Sequence, residues 1–203
     1  MKDGNSIAPC RGGLGVLLPG MGAVSSTFIA GVELCKKGLG RPIGSLTQMQ
    51  HIRLGKRYEG RRPLIRDFVP LEKPENLVFG GWDIFPDSIY HAALKAGVLP
   101  ETRLEGVRAE LDAVEPMPAV FDQAFVRNLQ GSNVKQGGSK WDLAQQIMKD
   151  IDAFRKKNRL ERVVMIWCGS TEVSPARSKV HRSVAELEKG LKGDSPDIPP
   201  SMV

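Results

Sequence analysis

Along the chain, short apolar runs alternate with longer amphipathic stretches. Val16, Leu17 and Leu18 are too few and too apolar for a surface helix, and suit a strand buried on both faces. Thr27, Phe28, Ala30, Val32, Leu34 and Cys35 then give a helix one apolar side, which Gly38 and Gly40 end. Residues 41–47 read as a second short strand entered through Pro42, followed by a basic, Gly- and Pro-containing segment to Pro74 that is too irregular for core structure. Leu77, Val78 and Phe79 predict the next buried strand, leading directly into Gly80-Gly81-Trp82-Asp83-Ile84-Phe85-Pro86. Asp87 is expected to cap a helix through Ile89, Ala92, Ala93 and Leu94 that stops at Gly97. Residues 101–129 are amphipathic with a Pro116-Met117-Pro118 break, which predicts two helices or a helix and an extended piece.

A glycine-rich polar loop over 130–138, expected to be exposed, precedes the capping-box-like start Ser139-Lys140-Trp141-Asp142. Trp141, Ala144, Ile147, Ile151 and Phe154 recur at helical spacing as a core face, with Arg155, Lys156 and Lys157 near the negative end of that helix. Residues 162–167 are the clearest strand after the first, and 183–191 form one more helix. Strands alternating with helices in this way predict an α/β fold with a mostly parallel sheet. Residues 1–13 read as an N-terminal tail and 14–203 as one domain. Ile198 to Val203 has the look of an approach to a further helix, so the chain is expected to end before the fold is finished.

Chemistry enters between the first strand and the first helix. Gly20-Met21-Gly22-Ala23-Val24-Ser25-Ser26 reads G-x-G-x-x-S, the outline of a dinucleotide-binding turn. Gly20 can take a tight turn, Gly22 lets backbone approach a pyrophosphate, and the following helix points the positive end of its dipole at the anion. Ser25 replaces the usual third glycine, which loosens helix-to-strand packing but supplies a hydroxyl that could donate to a phosphate. The same pattern also describes a tight strand-to-helix turn with no ligand. An acid usually stands about 20 residues past the glycines to hold the adenosine ribose, but that neighbourhood offers only Ser45, Thr47 and Gln48. Asp83 follows the next strand and could take that place, or serve as a turn or cap aspartate. Cys168-Gly169-Ser170-Thr171-Glu172 puts small and hydroxyl residues at a third strand end, with Glu172 either an acid or base or a solvent-facing loop residue. Three strand ends, at Gly20, Asp83 and Gly169, are expected to converge on one crevice, which favours the nucleotide.

Composition narrows the classes. The 203 residues, 41% hydrophobic and 26% charged, suffice for a full core. The net charge of +6 suits anionic ligands, but the basic residues are spread along the chain, which argues against a nucleic-acid surface. Arg53, Lys56, Arg57, Arg61, Arg62 and Arg66 cluster locally as either a solvated loop face or a phosphate clamp. Cys10, Cys35 and Cys168 are odd in number and far apart, and His51, His91 and His181 lack ligand spacing, so neither a disulfide framework nor a metal site is expected, and a reducing cytoplasm is the natural compartment. The N-terminus has no signal-peptide core and no segment reaches the length of a membrane span.

Several long motifs in one order resemble the N-terminal half of the inositol-3-phosphate synthase (myo-inositol-1-phosphate synthase) family in its bacterial form: GVLLPGMGAVSSTFIAGV, RPIGSLTQMQHIRLGKR, FVPL, LVFGGWDIFPDS and VVMIWCGSTEV, within a resemblance that covers nearly everything from Gly15 to Val203. The resemblance implies a Rossmann-like NAD-binding domain of an isomerase in inositol and phospholipid biosynthesis, which turns glucose 6-phosphate into 1D-myo-inositol 3-phosphate. In that reaction the sugar is oxidised at C5 with NAD, enolised, closed by aldol attack of C6 on C1, and reduced again, so the cofactor is recycled. It further implies a phosphate-binding loop from Gly20 to Ser26, an adenosine contact at Asp83 and Ile84, and a nicotinamide-side contact at Gly169, Ser170 and Thr171. Members often carry Thr or Ala where this chain has Cys168-Gly169. The family's catalytic lysines, sugar-phosphate pocket and tetramer-forming sheet belong to a second half, so no catalytic residue is assigned here. A non-catalytic NAD-binding module and a net dehydrogenase on a polyol phosphate are the alternatives.

Overall fold

A computed structural model describes residues 12–69 and 71–203, leaving Cys10, most of the N-terminal tail and Pro70 outside the described residues. The first apolar run forms β1 (Leu14–Pro19), buried at its four central positions. It leads through the glycine turn into α1 (Ala23–Lys36), which ends at Gly38 with φ of 71°. Short helices α2 (Leu46–Met49) and α3 (Ile65–Phe68) follow, then β2 (Leu77–Asp83), α4 (Ile89–Ala96), α5 (Glu101–Glu105) and α6 (Arg108–Asp112). The remaining elements are β3 (Met117–Pro118), α7 (Lys140–Lys157), β4 (Arg162–Met165) and α8 (Val184–Lys192).

The sheet is parallel throughout, in the order β3-β2-β1-β4. Leu14 pairs with Leu77 on one side and Arg162 on the other, so β1 is central and its carboxyl end is flanked by two strand ends. One face packs on α1 and α4–α6 through a core that includes Val16, Leu18, Ile29, Phe79, Ile89 and Leu104. The other face receives α7. A Cβ on Gly15 or Gly80 would stand 2.9 or 2.7 Å from the Phe154 ring, so those two glycines make the hollow in which the ring sits. The predicted apolar face of α7 is otherwise half-buried, with Ala144 alone of its five residues fully buried. Ala144 joins Val180, Leu191 and Ile198 in a second, smaller cluster. No helix among the described residues is long and apolar enough to cross a membrane.

Three expectations are corrected. Residues 41–47 are not a strand: Ser45 N–H closes a turn on the Pro42 carbonyl (2.9 Å), and Ile43 is 80% exposed. Pro42 has no N–H to give a ladder, and the chain turns there and runs directly into α2. Asp87 does not cap α4, whose N-cap is Ser88; its carboxylate instead takes Lys95 at 2.6 Å. The Pro116-Met117-Pro118 break is, by contrast, the extended piece of the second alternative: it contains β3, which prolines can enter because it is an edge strand. The 130–138 loop is stitched into the sheet end rather than exposed throughout: Ala119 N–H donates to Asn133 O, and the side chain of Lys135 is 8% exposed and paired with Asp150 at 2.7 Å. The indole of Trp82 donates to the same carboxylate at 2.8 Å.

Candidate nucleotide site

The three strand ends do meet. Gly20, with φ of 86°, donates its N–H to the Trp82 carbonyl at 2.8 Å, and a Cβ on it would lie 2.5 Å from Gly169 Cα. Glycine is required there for both its left-handed conformation and the contact between two backbones. Met21 N–H donates to Asp83 Oδ2 at 2.6 Å, and Phe85 N–H donates to Oδ1 at 3.0 Å. Asp83 thus clamps the glycine turn to the end of β2.

Past this clamp the chain opens. Nothing lies within 4 Å of a Cβ built on Gly22, and Gly22, Ala23 and Val24 are exposed. No side chain caps the N-terminus of α1 and its first turn carries no acidic residue, so its amides and the positive end of a 14-residue helix dipole are unneutralised. A group bringing negative charge and backbone-accepting oxygens fits this place, and the empty volume over Gly22 is the space its phosphates need.

The other residues of the motif support this surface from beneath. Met21 is buried, and Ser25 and Ser26 are fully buried. Ser25 Oγ donates to the Gly20 carbonyl at 2.6 Å and Ser26 Oγ to the Ala23 carbonyl at 3.3 Å. The hydroxyl expected to reach a phosphate is therefore turned inward: Ser25 locks the turn.

Beside the α1 N-terminus lies a depression of about 210 Å³ whose lining includes Gly22, Ala23, Asp83, Phe85, Asp87 and Lys95. Sequence reasoning missed the last three as site residues, although Asp87 and Lys95, eight positions apart across one short helix, bear opposite charges. Ile84 is buried and does not line the depression; its carbonyl accepts from Asn133 N–H at 2.8 Å. On the other flank Gly169 touches Gly20, while Ser170 and Thr171 are exposed just beyond it. Glu172 is neither a free base nor purely solvated. It accepts from Ser201 N–H at 3.0 Å and from the Ser201 hydroxyl, tying this loop to the Pro200–Met202 turn. The basic residues between Arg53 and Arg66 lie on exposed segments and none lines the depression. Among the described residues no group of three or more His, Cys, Asp or Glu could hold a metal.

Comparisons with known proteins point to one family. An NAD-binding family model described as myo-inositol-1-phosphate synthase matches residues 14–203. Inositol-3-phosphate synthase 1 of Bacteroides thetaiotaomicron is 45% identical over 97% of this chain and 46% of its own length. A probable inositol 3-phosphate synthase isozyme 3 of Arabidopsis thaliana is 32% identical over 93% of this chain and 40% of its own. The crystal structure of inositol-3-phosphate synthase from Caenorhabditis elegans superposes with a TM-score of 0.83 at 24% identity, covering 96% of this chain and 41% of that one, which shows the shared fold. The chain thus spans rather less than half the length of these relatives. With a parallel sheet, an uncapped helix N-terminus over an open glycine and a family match across the described domain, the chain belongs to the myo-inositol-1-phosphate synthase family and carries its NAD-binding region.

Proposed function

We propose that this chain is the NAD-binding part of a cytoplasmic inositol-3-phosphate synthase, acting on glucose 6-phosphate and assembling as a homotetramer, with residues 14–203 as its Rossmann-like unit. The observation that carries the reading is the exposed, unneutralised start of α1 at the junction of three strand ends. The amides of Gly22, Ala23 and Val24 would receive the pyrophosphate, with Gly20, Met21, Ser25 and Ser26 holding them in place. Asp83 and Ile84 would face the adenosine end, and Gly169, Ser170 and Thr171 the nicotinamide end.

Bound there, NAD supplies a hydride acceptor that becomes a donor again within one turnover. The contribution of this chain is to bind and orient. The Met21–Asp83 hydrogen bond and the Gly20–Gly169 contact hold the two flanks of the crevice at a fixed separation. Enolisation needs a positioned base and the enolate needs cationic stabilisation. No residue here is assigned either role, which leaves a non-catalytic NAD-binding module as the second reading.

Calorimetric titration with NAD tests the proposal. The chain should bind NAD, and Asp83→Ala and Ser170→Ala should weaken binding. If neither substitution changes the affinity, the site assignment fails. A synthase built on this chain should form an inositol phosphate from glucose 6-phosphate with no net NADH, whereas a dehydrogenase would accumulate it.

A further inference from the structure

We propose that Asn133 is a positioning residue of the nucleotide site, acting through Asp83. This rests on the NAD-binding reading above. The sheet ladder is thin at the carboxyl end of β2: β3 has two residues, and Pro118, which stands opposite Asp83, has no N–H to give. The carbonyls of Asp83, Ile84 and Pro116 crowd this end, and Asn133 serves all three. Its Nδ2 donates to Asp83 O at 2.9 Å and to Pro116 O at 3.4 Å, and its backbone N–H donates to Ile84 O at 2.8 Å.

A side-chain amide suits this task because one nitrogen offers two hydrogens in fixed directions. The loop is held against the strand end from both sides. Before Asn133, a Cβ on Gly131 would lie 2.2 Å from Ile84 O, so the close approach depends on glycine. After it, Lys135 is anchored to Asp150 at 2.7 Å, and its N–H donates to Ala119 O at 2.9 Å.

Two consecutive hydrogen bonds therefore connect Asn133 to the phosphate-facing turn. Asn133 fixes the peptide of Asp83, and the Asp83 carboxylate fixes the amide of Met21, immediately before the open Gly22. Without the first bond the Asp83 peptide can rotate, and the carboxylate no longer presents itself squarely to Met21. Asn133 need not touch the nucleotide to govern its affinity.

The test is a double-mutant cycle read by NAD calorimetry on the whole chain, with N133A, D83A and N133A/D83A beside the unaltered protein. N133A should weaken NAD binding about tenfold, the equilibrium factor of one lost hydrogen bond to a backbone carbonyl. The double variant should bind no worse than D83A, because the effect of Asn133 passes through Asp83. N133D, nearly isosteric but with an oxygen facing the carbonyls, should lose at least as much and serves should N133A fail to fold. Affinity unchanged in N133A and N133D, or losses that add in the double variant, overturn the proposal while leaving the NAD site standing. Failure of the unaltered chain to bind NAD overturns both.

Discussion

Gly20 and Gly22 stand two residues apart and should respond in opposite ways to the same methyl group. In Gly20→Ala the new Cβ would meet Gly169 Cα, Gly169 N and Cys168 C at 2.5, 2.6 and 2.7 Å, and the residue would have to keep φ of 86°. The left-handed conformation costs about 1–2 kcal/mol, and forcing two packed backbones apart about 1–3 kcal/mol. A total of about 3 kcal/mol lowers the melting temperature of a domain this size by about 6–12 °C. In Gly22→Ala the methyl meets nothing within 4 Å, so the loss of stability is about 1 kcal/mol, the scale of exchanging a residue at a helix N-cap. The methyl instead fills the space reserved for the pyrophosphate, and NAD affinity should fall at least about tenfold. Thermal denaturation and calorimetric NAD titration of both variants separate the two roles. A Gly22→Ala chain that melts normally and binds NAD as tightly as the parent refutes the claim that phosphates approach this glycine. An unshifted melting temperature in Gly20→Ala refutes the contact with Gly169.

Asp150→Ala strips the Lys135 ammonium and the Trp82 indole of their shared acceptor; with Lys135 8% exposed, the loss should be about 3 kcal/mol by denaturant unfolding, and a change near zero would mean the pair is not buried in solution. Burial, and after it the negative charge of Glu75, push the Cys35 thiol above its ordinary value. The folded chain therefore holds that proton more tightly than the unfolded chain, a contribution to stability present below the ordinary thiol pKa and lost as pH rises through the raised one. Mapping Cys35 alkylation against pH by mass spectrometry should show a higher midpoint for the native chain than in urea; equal midpoints would contradict the burial.

The features legible in the sequence were those fixed by neighbours along the chain. Three apolar residues followed by Gly20 and Gly22 announced β1 and its turn, and Ser139 announced the start of α7, where its hydroxyl accepts from Asp142 N–H. The convergence of Gly20, Asp83 and Gly169 followed from one rule about the carboxyl ends of parallel strands. The misses depended on distant partners. Ile43 and Leu46 look like strand residues, yet Ile43 lies exposed in a turn and Leu46 opens α2. At Pro116-Met117-Pro118 the pattern leaves two helices or an extended piece open, and only the place of Met117 beside Trp82 decides for the strand. Asn133 and Lys135 read as loop polarity because their acceptors, Asp83 and Asp150, are remote in sequence. Ser25 could be placed at the turn from the pattern, but the direction of its hydroxyl depends on the Gly20 carbonyl.

The position of β1 at the centre of the sheet also orders events in time. It leaves the ribosome before both of its neighbours, Leu77–Asp83 and, much later, Arg162–Met165. Such distant pairings form slowly, because long loops must close before any ladder forms. A nascent chain can assemble β1, β2 and β3 while β1 still presents a bare apolar edge, and through that interval it is open to chaperones and to misassociation. The Gly169 flank of the crevice forms only when β4 arrives and Gly169 reaches Gly20. Capture of the nucleotide consequently follows the docking of β4, and it favours the population of chains in which β4 has joined β1.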